Sequence, residues 1–462
     1  MNGRFRLSNL IVLLAVIVNA ISHSAGICSV ISTYTFSQPD LLDISLQIPE
    51  VQFQTREIEG HRIDWLDMGG SIPIFEEEEK LGLPSLIRLI SIPWGYQASL
   101  EIVDAQFQPI EVLPEEYRDN SNRNFRTVKE EPLAALGEPG VMRWLRLVPL
   151  VIHPIRQDPQ NLQWEQLVTL DLRIHLTRAA ENRTYPLDSN RYWSPIFEEF
   201  FSATVLNYTS PISPLQYGGK EVMRGSYLII TDSALARNTT ELANWKARKG
   251  YDVVVAPIYR PGIAPEEVKN FIRNAYLNWE KPPEVVLLIG DVNMPGIRLP
   301  TFYIRHPDPR QNEIDVTDLP YSLMNDDDYF PDLLVGRISV DSPSPTELLT
   351  YIVRVIAHER DAHTFPPANF HRATLFAGNF GDGNLPVLSP VETCVWLGSR
   401  LRELGWSVDE FYYRRPGDDV NPSPIIASIN RGINILAYRG WADANGTHYP
   451  QFYRTHIQQL DN

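Results

Sequence analysis

The feature that most constrains the fold of this chain is a change of pattern near residue 226. Before it, short apolar runs alternate with polar residues at the period of two that half-buried strands require. The strand candidates are Leu42–Ile48, Val51–Phe53, Ile63–Met68, Leu86–Ile92, Ala98–Val103, Trp144–Leu150 and Leu167–Leu176. From Ser226 onward, short apolar strands alternate with amphipathic helices. This pattern predicts a strand-rich β domain, of the sandwich or barrel type, followed by an α/β domain with parallel sheets covered by helices.

The α/β part divides into two rounds of strand and helix. Its helices carry recognisable end signals: one stops at Lys249-Gly250, and the next begins with Pro265 followed by two glutamates. The chain stops just after a buried strand, and we therefore expect the second round to be truncated. The expected organisation is residues 1–25 signal peptide, 26–180 β-rich domain, 181–225 connector, 226–365 first α/β subdomain and 366–462 second α/β subdomain.

The amino terminus predicts export. Arg4 and Arg6 precede an apolar stretch of 12 residues, Leu10 to Ile21, and small residues follow. This is the order of a secretory signal peptide, and the stretch is shorter than the roughly 20 residues that span a bilayer. A membrane anchor is the alternative. We expect a secreted or cell-surface protein without a transmembrane segment in the mature chain.

Charge and cysteine content exclude other classes. The net charge is −16, with 57 acidic and 41 basic residues, so the cationic surface that nucleic-acid binding requires is missing from the composition. The two cysteines, Cys28 and Cys394, exclude a disulfide framework. Cys394 lies at helical spacing with Val391 and Val395, which predicts core packing and an inert thiol. The chain also lacks a P-loop and the G-x-G-x-x-G, H-E-x-x-H and G-x-S-x-G motifs.

Two segments of the α/β part carry candidate functional residues. Carboxylates are dense between Asp315 and Asp332, and such a group needs water, basic partners or a hard cation. Asp326, Asp328 and Asp332 are the candidate ligands of a structural Ca²⁺; solvated loop charges are the alternative. The second segment follows the last strand and brings Asp443 and His448 together in one Gly-containing loop. Histidine is the commonest general base, and a surface residue is the alternative.

Several motifs occur in the order found in the gingipain-type cysteine peptidases, family C25. They are Tyr-Leu-Ile-Ile-Thr-Asp232, Trp245-Lys-Ala-Arg-Lys-Gly250, Val-Leu-Leu-Ile-Gly-Asp291, Asp327-Asp-Tyr-Phe-Pro-Asp332 and Val335-Gly-Arg337. The chain resembles that family over residues 226–462. The strand-rich region resembles the family's N-terminal propeptide. Its Gly82-Leu-Pro84 precedes a strand, as the corresponding segment of those propeptides does.

The resemblance implies a caspase-like α/β fold and peptide hydrolysis by a Cys–His pair. In such a reaction a thiolate attacks the scissile carbonyl and the histidine protonates the leaving amine. The resemblance also implies that an acid orients the histidine, for which Glu313 is the nearest match, and that Ca²⁺ is bound. Two departures stand out. Trp441 occupies the family's His position, so His448 becomes the candidate base, and the family's Cys would lie beyond Asn462.

The resulting hypothesis is a secreted cysteine endopeptidase precursor of the gingipain type, incomplete and without its nucleophilic Cys. Its substrates would be proteins or peptides, it would need no organic cofactor, and secretion machinery is a possible partner. One alternative is a non-catalytic relative that kept the fold for binding or assembly. Another is a cell-surface transpeptidase of type IX secretion. Arg183 or Arg191 in the connector would be processing points of a precursor.

Overall fold

A computed structural model provides the structure of the chain. It describes residues 31–38, 40–58, 61–68, 71–74, 81–114, 132–158, 160–161, 163–179, 189–209, 224–258, 260, 262–292, 299–305, 314–325, 328–340, 345–378, 390–413, 418, 421–443 and 445–461. The predicted signal peptide and Arg183 lie outside these residues. No helix in this part of the chain has the length and apolar character that crossing a bilayer requires.

The amino-terminal part is a β-sandwich. Its strands are β1 (Ile31–Gln38), β2 (Leu41–Gln47), β3 (Gln52–Ile58), β4 (His61–Asp67), β5 (Ile72–Ile74), β6 (Leu81–Ser91), β7 (Tyr96–Pro109), β8 (Ala134–Leu136), β9 (Gly140–Met142), β10 (Leu145–Ile152), β11 (Ile155–Gln157) and β12 (Trp164–Arg178). One sheet has the order β1-β2-β12-β11 with β7 on β12, and the other has the order β3-β4-β6-β10-β8 with β5 and β9 attached. The alternation of buried and more exposed residues is visible in β2, where Leu42, Ile44 and Leu46 are buried. They pack with Ile90 and Leu150 of the other sheet, as the period-two pattern predicts.

Two short helices follow the sandwich and connect it to the α/β part. They are α1 (Ser189–Tyr192) and α2 (Pro195–Thr204). Phe201 of α2 is fully buried, with its ring 4.9 Å from that of Trp144 in the sandwich. The same apolar cluster contains Leu228 and Val286 of the first parallel sheet. The sandwich, the connecting helices and the first α/β subdomain therefore share one core, which we call the shared core.

The first α/β subdomain is a parallel sheet with helices on both faces. Its elements are β13 (Ser226–Ile230), α3 (Ser233–Ala236), α4 (Thr240–Arg248), β14 (Asp252–Ala256), α5 (Pro265–Asn278), β15 (Pro283–Ile289), β16 (Phe302–Arg305), β17 (Ile314–Thr317), β18 (Leu334–Ile338) and α6 (Pro345–Arg360). The parallel strands have the order β14-β13-β15-β18, and β16 and β17 form a separate antiparallel pair. Leu228 packs towards α5 and Ile229 towards α4 and α6, because successive strand residues face opposite sides.

The second α/β subdomain repeats this plan on a smaller scale. Its elements are β19 (Arg372–Gly378), α7 (Pro390–Glu403), β20 (Ser407–Tyr413), α8 (Ser423–Asn430), β21 (Ile435–Arg439), β22 (Ala442–Asp443), β23 (Gly446–His448), β24 (Gln451–Tyr453) and α9 (Arg454–Ile457). The parallel strands have the order β20-β19-β21. Leu375 packs against α7 and Phe376 against α8, so this sheet is also covered on both faces. The predicted parallel sheets covered by helices are confirmed.

Candidate active site

The candidate site lies beyond the carboxyl ends of β19 and β21. In parallel sheets this edge is where ligands bind, because loops there are free to carry functional side chains. Two glycines allow the backbone segments to approach closely. A Cβ at Gly378 would collide with the carbonyl of Tyr449, and a Cβ at Gly440 would lie only 3.1 Å from the carbonyl oxygen of Gly378. The chain leaving β21 is thereby held against the end of β19.

A small antiparallel unit, β22-β23-β24, carries the candidate base. Asp443 pairs with Gly446 across the first turn, and Ala442 pairs with Thr447. The Asp443 carboxylate accepts a hydrogen bond from the backbone N–H of Asn445 at 2.7 Å, which is an Asx turn. The backbone N–H of His448 donates to the carbonyl of Trp441 at 3.2 Å. The hairpin therefore places Trp441, Asp443 and His448 on neighbouring strand positions.

The His448 imidazole has three close neighbours. Its Nε2 lies 3.1 Å from an Asp443 carboxylate oxygen, without the alignment of an ideal hydrogen bond. Its Nδ1 lies 3.4 Å from the hydroxyl oxygen of Tyr453. The Trp441 ring covers one face of the imidazole at a centroid distance of 4.2 Å. The side chain of His448 is 22% exposed, so solvent or a ligand can reach it.

Asp443 is an ionised carboxylate near neutral pH. The pKa of Asp443 is lowered chiefly by the N–H of Asn445; burial opposes this effect, and the contact with His448 lowers the pKa further. A carboxylate in this state can accept a hydrogen bond from a proton-bearing ring nitrogen of His448. The family resemblance implies Glu313 as the orienting acid, whereas the carboxylate beside His448 in the structure is that of Asp443. The signal that would have pointed to Asp443 is the turn Asp443-Ala-Asn-Gly446, which folds the hairpin so that Asp443 and His448 face each other.

Glu313, the acid named by the family resemblance, lies outside the described residues, directly before β17. Its role as the orienting acid of His448 therefore stays a prediction. Asp326, one of the three candidate calcium ligands, also lies outside the described residues.

The carboxylates of Asp328 and Asp332 accept hydrogen bonds from the β-sandwich. Asp328 accepts hydrogen bonds from the backbone N–H of Val141, at 2.7 Å, and of Phe330, at 2.9 Å. Asp332 is fully buried and accepts from the backbone N–H of Arg143 at 2.8 Å and of Met324 at 2.9 Å. These four backbone donors belong to both domains, so the two acids join the sandwich to the first α/β subdomain.

The hydrogen bonding of these acids does not fit a calcium site. Ca²⁺ takes six to eight oxygen ligands, whereas the carboxylate oxygens of Asp328 and Asp332 face N–H donors. Asn325 donates to both oxygens of Asp332, each at 3.1 Å. Among the described residues, no group of three or more His, Cys, Asp or Glu side chains is arranged to hold a metal. Calcium binding at Asp326, Asp328 and Asp332 stays a prediction that these contacts do not support.

The stability of the protein is expected to depend on pH through Asp332. Burial raises the pKa of Asp332 to about 7, against the opposing effect of the Arg143 and Met324 N–H groups. Because the folded state then binds the proton more tightly than the unfolded chain, this contribution is fully present below a pH of about 4 and is lost as the pH rises through about 7. We expect the free energy of unfolding to fall over this window by up to about 1.4 kcal/mol per pH unit from Asp332.

Urea unfolding at several values between pH 4 and pH 8 measures this dependence. Asp332→Asn carries no titrating group at this position. We therefore expect its free energy of unfolding to fall less steeply with pH than that of the wild type, whatever its absolute stability. Asp252→Asn, on the exposed start of β14, is the matched control and should keep the slope of the wild-type protein. Equal slopes in wild type and Asp332→Asn would contradict the prediction.

Cys394 is a core residue. It is 3% exposed and packs with Val391 and Val395 of the same helix and with Ala377 of β19. Burial raises the pKa of its thiol to about 12. A thiol in this state is not a nucleophile at neutral pH, and the predicted packing role is confirmed.

Comparison with known proteins agrees with the motif order. The sequence profile of Peptidase family C25 matches residues 222–462, just over half of the chain. Lys-gingipain from Porphyromonas gingivalis is 25% identical over 253 residues, which cover 52% of this chain and 13% of that protein. Lys-gingipain W83 from the same organism is 25% identical over 324 residues, covering 66% of this chain and 17% of that protein. The chain thus spans less than a fifth of the length of these relatives.

Among solved structures, the complex of the pro- and mature domains of RgpB from Porphyromonas gingivalis has a TM-score of 0.42 and 22% identity. It covers 51% of this chain, and 52% of that chain is covered. The match of the C25 profile includes the whole of both α/β subdomains and the hairpin that carries His448. The chain therefore belongs to Peptidase family C25, a family of cysteine peptidases.

Proposed function

We propose that this chain is the amino-terminal part of a secreted cysteine endopeptidase precursor of the gingipain type. The observation that carries the proposal is the position of His448. Its imidazole is partly exposed to solvent beyond the carboxyl ends of the second parallel sheet, next to a carboxylate. The two covered sheets are consistent with a caspase-like arrangement of side-by-side subdomains, which is part of the proposal.

The proposed reaction is the hydrolysis of a peptide bond. His448 takes the proton of a cysteine thiol, the thiolate attacks the scissile carbonyl, and the imidazolium returns the proton to the leaving amine. Water then releases the acyl group from the sulfur with His448 again acting as base. Cys394 is buried and protonated and cannot supply the thiolate. The proposal places the nucleophile in a segment that follows residue 462.

The proposal gives the β-sandwich the role of a propeptide. Two findings support this role: the shared core, and the hydrogen bonds from Val141 and Arg143 to the acids of the 328–332 segment. Export through the signal peptide at residues 1–25, and contact with secretion machinery, belong to the same proposal. Arg191, one of the suggested processing points, donates hydrogen bonds to the carbonyls of Leu277 and Trp279. A protease would have to displace these contacts before it could cut there.

Substitution of His448 tests the proposal directly. In the full-length protein, His448→Ala is expected to lower the turnover of a fluorogenic peptide by about 100- to 10,000-fold, the usual contribution of a general acid–base. The midpoint of thermal unfolding should stay close to that of the wild type, because the side chain is partly exposed. Cys394→Ala is the matched control and should retain turnover. Unchanged turnover in His448→Ala would refute the assignment.

A non-catalytic binding or assembly function is the second candidate. Trp441 favours it, because a tryptophan stands where the family has its histidine, and this side chain is 44% exposed. An exposed aromatic ring suits the binding of an apolar partner better than proton transfer. A folded full-length protein that turns over no peptide and reacts with no thiol-directed substrate analogue would support this candidate over the first.

A further inference from the structure

The two ring nitrogens of His448 are in different surroundings. Nε2 is enclosed by protein and is not exposed to solvent, and its neighbour is the Asp443 carboxylate at 3.1 Å. Nδ1 lies on the other side of the ring, 3.4 Å from the hydroxyl of Tyr453. An enclosed nitrogen beside a carboxylate is suited to carry a permanent proton. A nitrogen beside a hydroxyl, which can donate, is suited to carry the lone pair.

We infer that Asp443 is the positioning residue of His448, that it holds the imidazole in the Nε2–H tautomer, and that Nδ1 is the nitrogen that exchanges the proton. The part concerning proton exchange rests on the proposed function. The part concerning the tautomer does not. In the proposed reaction Nδ1 accepts the thiol proton, both ring nitrogens are then protonated, and Nδ1 releases that proton to the leaving amine. Nε2–H faces Asp443 throughout.

Asp443 can do this because its own orientation is fixed. One carboxylate oxygen accepts the backbone N–H of Asn445 at 2.7 Å, within the turn that the hairpin requires. The other oxygen faces His448 Nε2 at 3.1 Å and also accepts a hydrogen bond from the side-chain amide of Asn445 at the longer distance of 3.4 Å. The acid is thus supplied by the same hairpin as the base, only five residues away, and needs no contribution from a distant loop.

Trp441 and Tyr453 restrict the ring further. The Trp441 ring covers one face of the imidazole at 4.2 Å, and the Tyr453 ring meets it edge-on at 5.5 Å. Tyr453 is itself held by a stacked contact with His456 and by donation of its backbone N–H to that residue. A 180° flip of the ring would exchange Nδ1 with Cδ2 and Nε2 with Cε1, and it would place carbon atoms against the Asp443 carboxylate and the Tyr453 hydroxyl. The ring therefore keeps Nε2 at the Asp443 carboxylate and Nδ1 at the Tyr453 hydroxyl.

Asp443→Asn gives a specific test. Because the orientation of this side chain is fixed, the variant is expected to change the tautomer of His448 as well as to remove the carboxylate. The amide oxygen of the introduced asparagine would keep the hydrogen bond from the Asn445 N–H, so its NH₂ group would face Nε2 and donate to it. The imidazole should then switch to the Nδ1–H tautomer. Heteronuclear NMR of ¹⁵N-histidine-labelled protein, above the pH at which the ring is protonated, distinguishes the two tautomers. The His448 signal is identified by its loss in His448→Ala.

The expected result is the Nε2–H tautomer in the wild type and the Nδ1–H tautomer in Asp443→Asn. Asp443→Ala, which removes the acceptor without adding a donor, should give a mixture, and it serves as the second variant should Asp443→Asn not fold. Asp252→Asn is the control and should leave the tautomer unchanged. A wild-type Nδ1–H tautomer, or the same tautomer in all variants, would overturn the inference.

Kinetics separate this inference from the proposed function. In an active full-length protein, Asp443→Asn is expected to lower kcat by about 100- to 10,000-fold with little change in KM, because the base then presents a protonated nitrogen. A wild-type protein without turnover but with the Nε2–H tautomer would refute the proposed function and leave the positioning role of Asp443 intact. An active protein in which the His448 tautomer is the same in the wild type and in the Asp443 variants would support the proposed function and refute the positioning role of Asp443.

Discussion

Arg143→Ala is expected to lower the free energy of unfolding by about 3–5 kcal/mol, because three buried carbonyls lose a charged donor at about 1–3 kcal/mol each. Arg143 is 1% exposed and lies in the turn between β9 and β10. Its guanidinium donates to the carbonyl of Tyr192 at 2.7 Å and to those of Pro283 and Asp332 at 3.0 and 2.9 Å. Truncation would leave these three carbonyls without this donor, and a buried polar group without a partner is costly.

Urea unfolding of the full chain measures this effect, and two further variants make it specific. Arg178→Ala removes an exposed arginine from the end of β12 and should stay within about 0.5 kcal/mol of the wild type. Arg143 also has a φ of 53°, in the left-handed region that favours glycine. Arg143→Gly should therefore be more stable than Arg143→Ala by about 1 kcal/mol. A loss below about 1 kcal/mol in Arg143→Ala would contradict the prediction.

Phe201→Ala is expected to cost about 3–5 kcal/mol, the usual range for a buried phenylalanine. The ring lies at the centre of the shared core and is 0% exposed. It contacts Trp144 edge-on at 4.9 Å and Tyr208 at 5.7 Å. Trp144 belongs to the sandwich, so its ring cannot collapse into the space without moving the sandwich relative to α2, and a cavity would remain.

The measurement is again urea unfolding, with Glu199→Ala as the control in the same helix. Glu199 is exposed, and its replacement by a strong helix former should be nearly neutral. Phe201→Leu, which keeps most of the apolar volume, should recover more than half of the loss. If Phe201→Ala were as stable as Glu199→Ala, the shared core would not hold the two parts of the chain together.

The α/β elements could be predicted from sequence because each has local signals. The helix Thr240–Arg248 ends where Lys249-Gly250 predicts, and the helix Pro265–Asn278 begins at the predicted Pro265. Strand β1 is not among the predicted strands: Tyr34 and Phe36 alternate with polar residues, but the alternation is only two aromatics long and residues 33–38 are exposed on both faces. The short strands β8, β9 and β11 were missed because three residues are too few for a pattern.

The candidate site was predictable only in part. His448 stood out as a titratable residue in a loop after a buried strand, where function is expected. The contact between the His448 and Asp443 side chains depends on the register of a hairpin, and a hydrophobic pattern does not predict that register. The role of Asp332 was not foreseeable either. Its partner Arg143 belongs to the β-sandwich, and a contact between positions 189 residues apart leaves no local trace in the sequence.

The shared core also determines how the protein can be taken apart. Its contacts join the sandwich to the α/β part through packed side chains, so a single backbone cut between residues 209 and 224 would remove none of them. Separation would expose buried aromatic side chains to water, at about 1.5–3 kcal/mol for each. A chain cut there would run as two bands in denaturing electrophoresis while still eluting as one particle in size-exclusion chromatography. Cutting and release are thus separate events in this molecule.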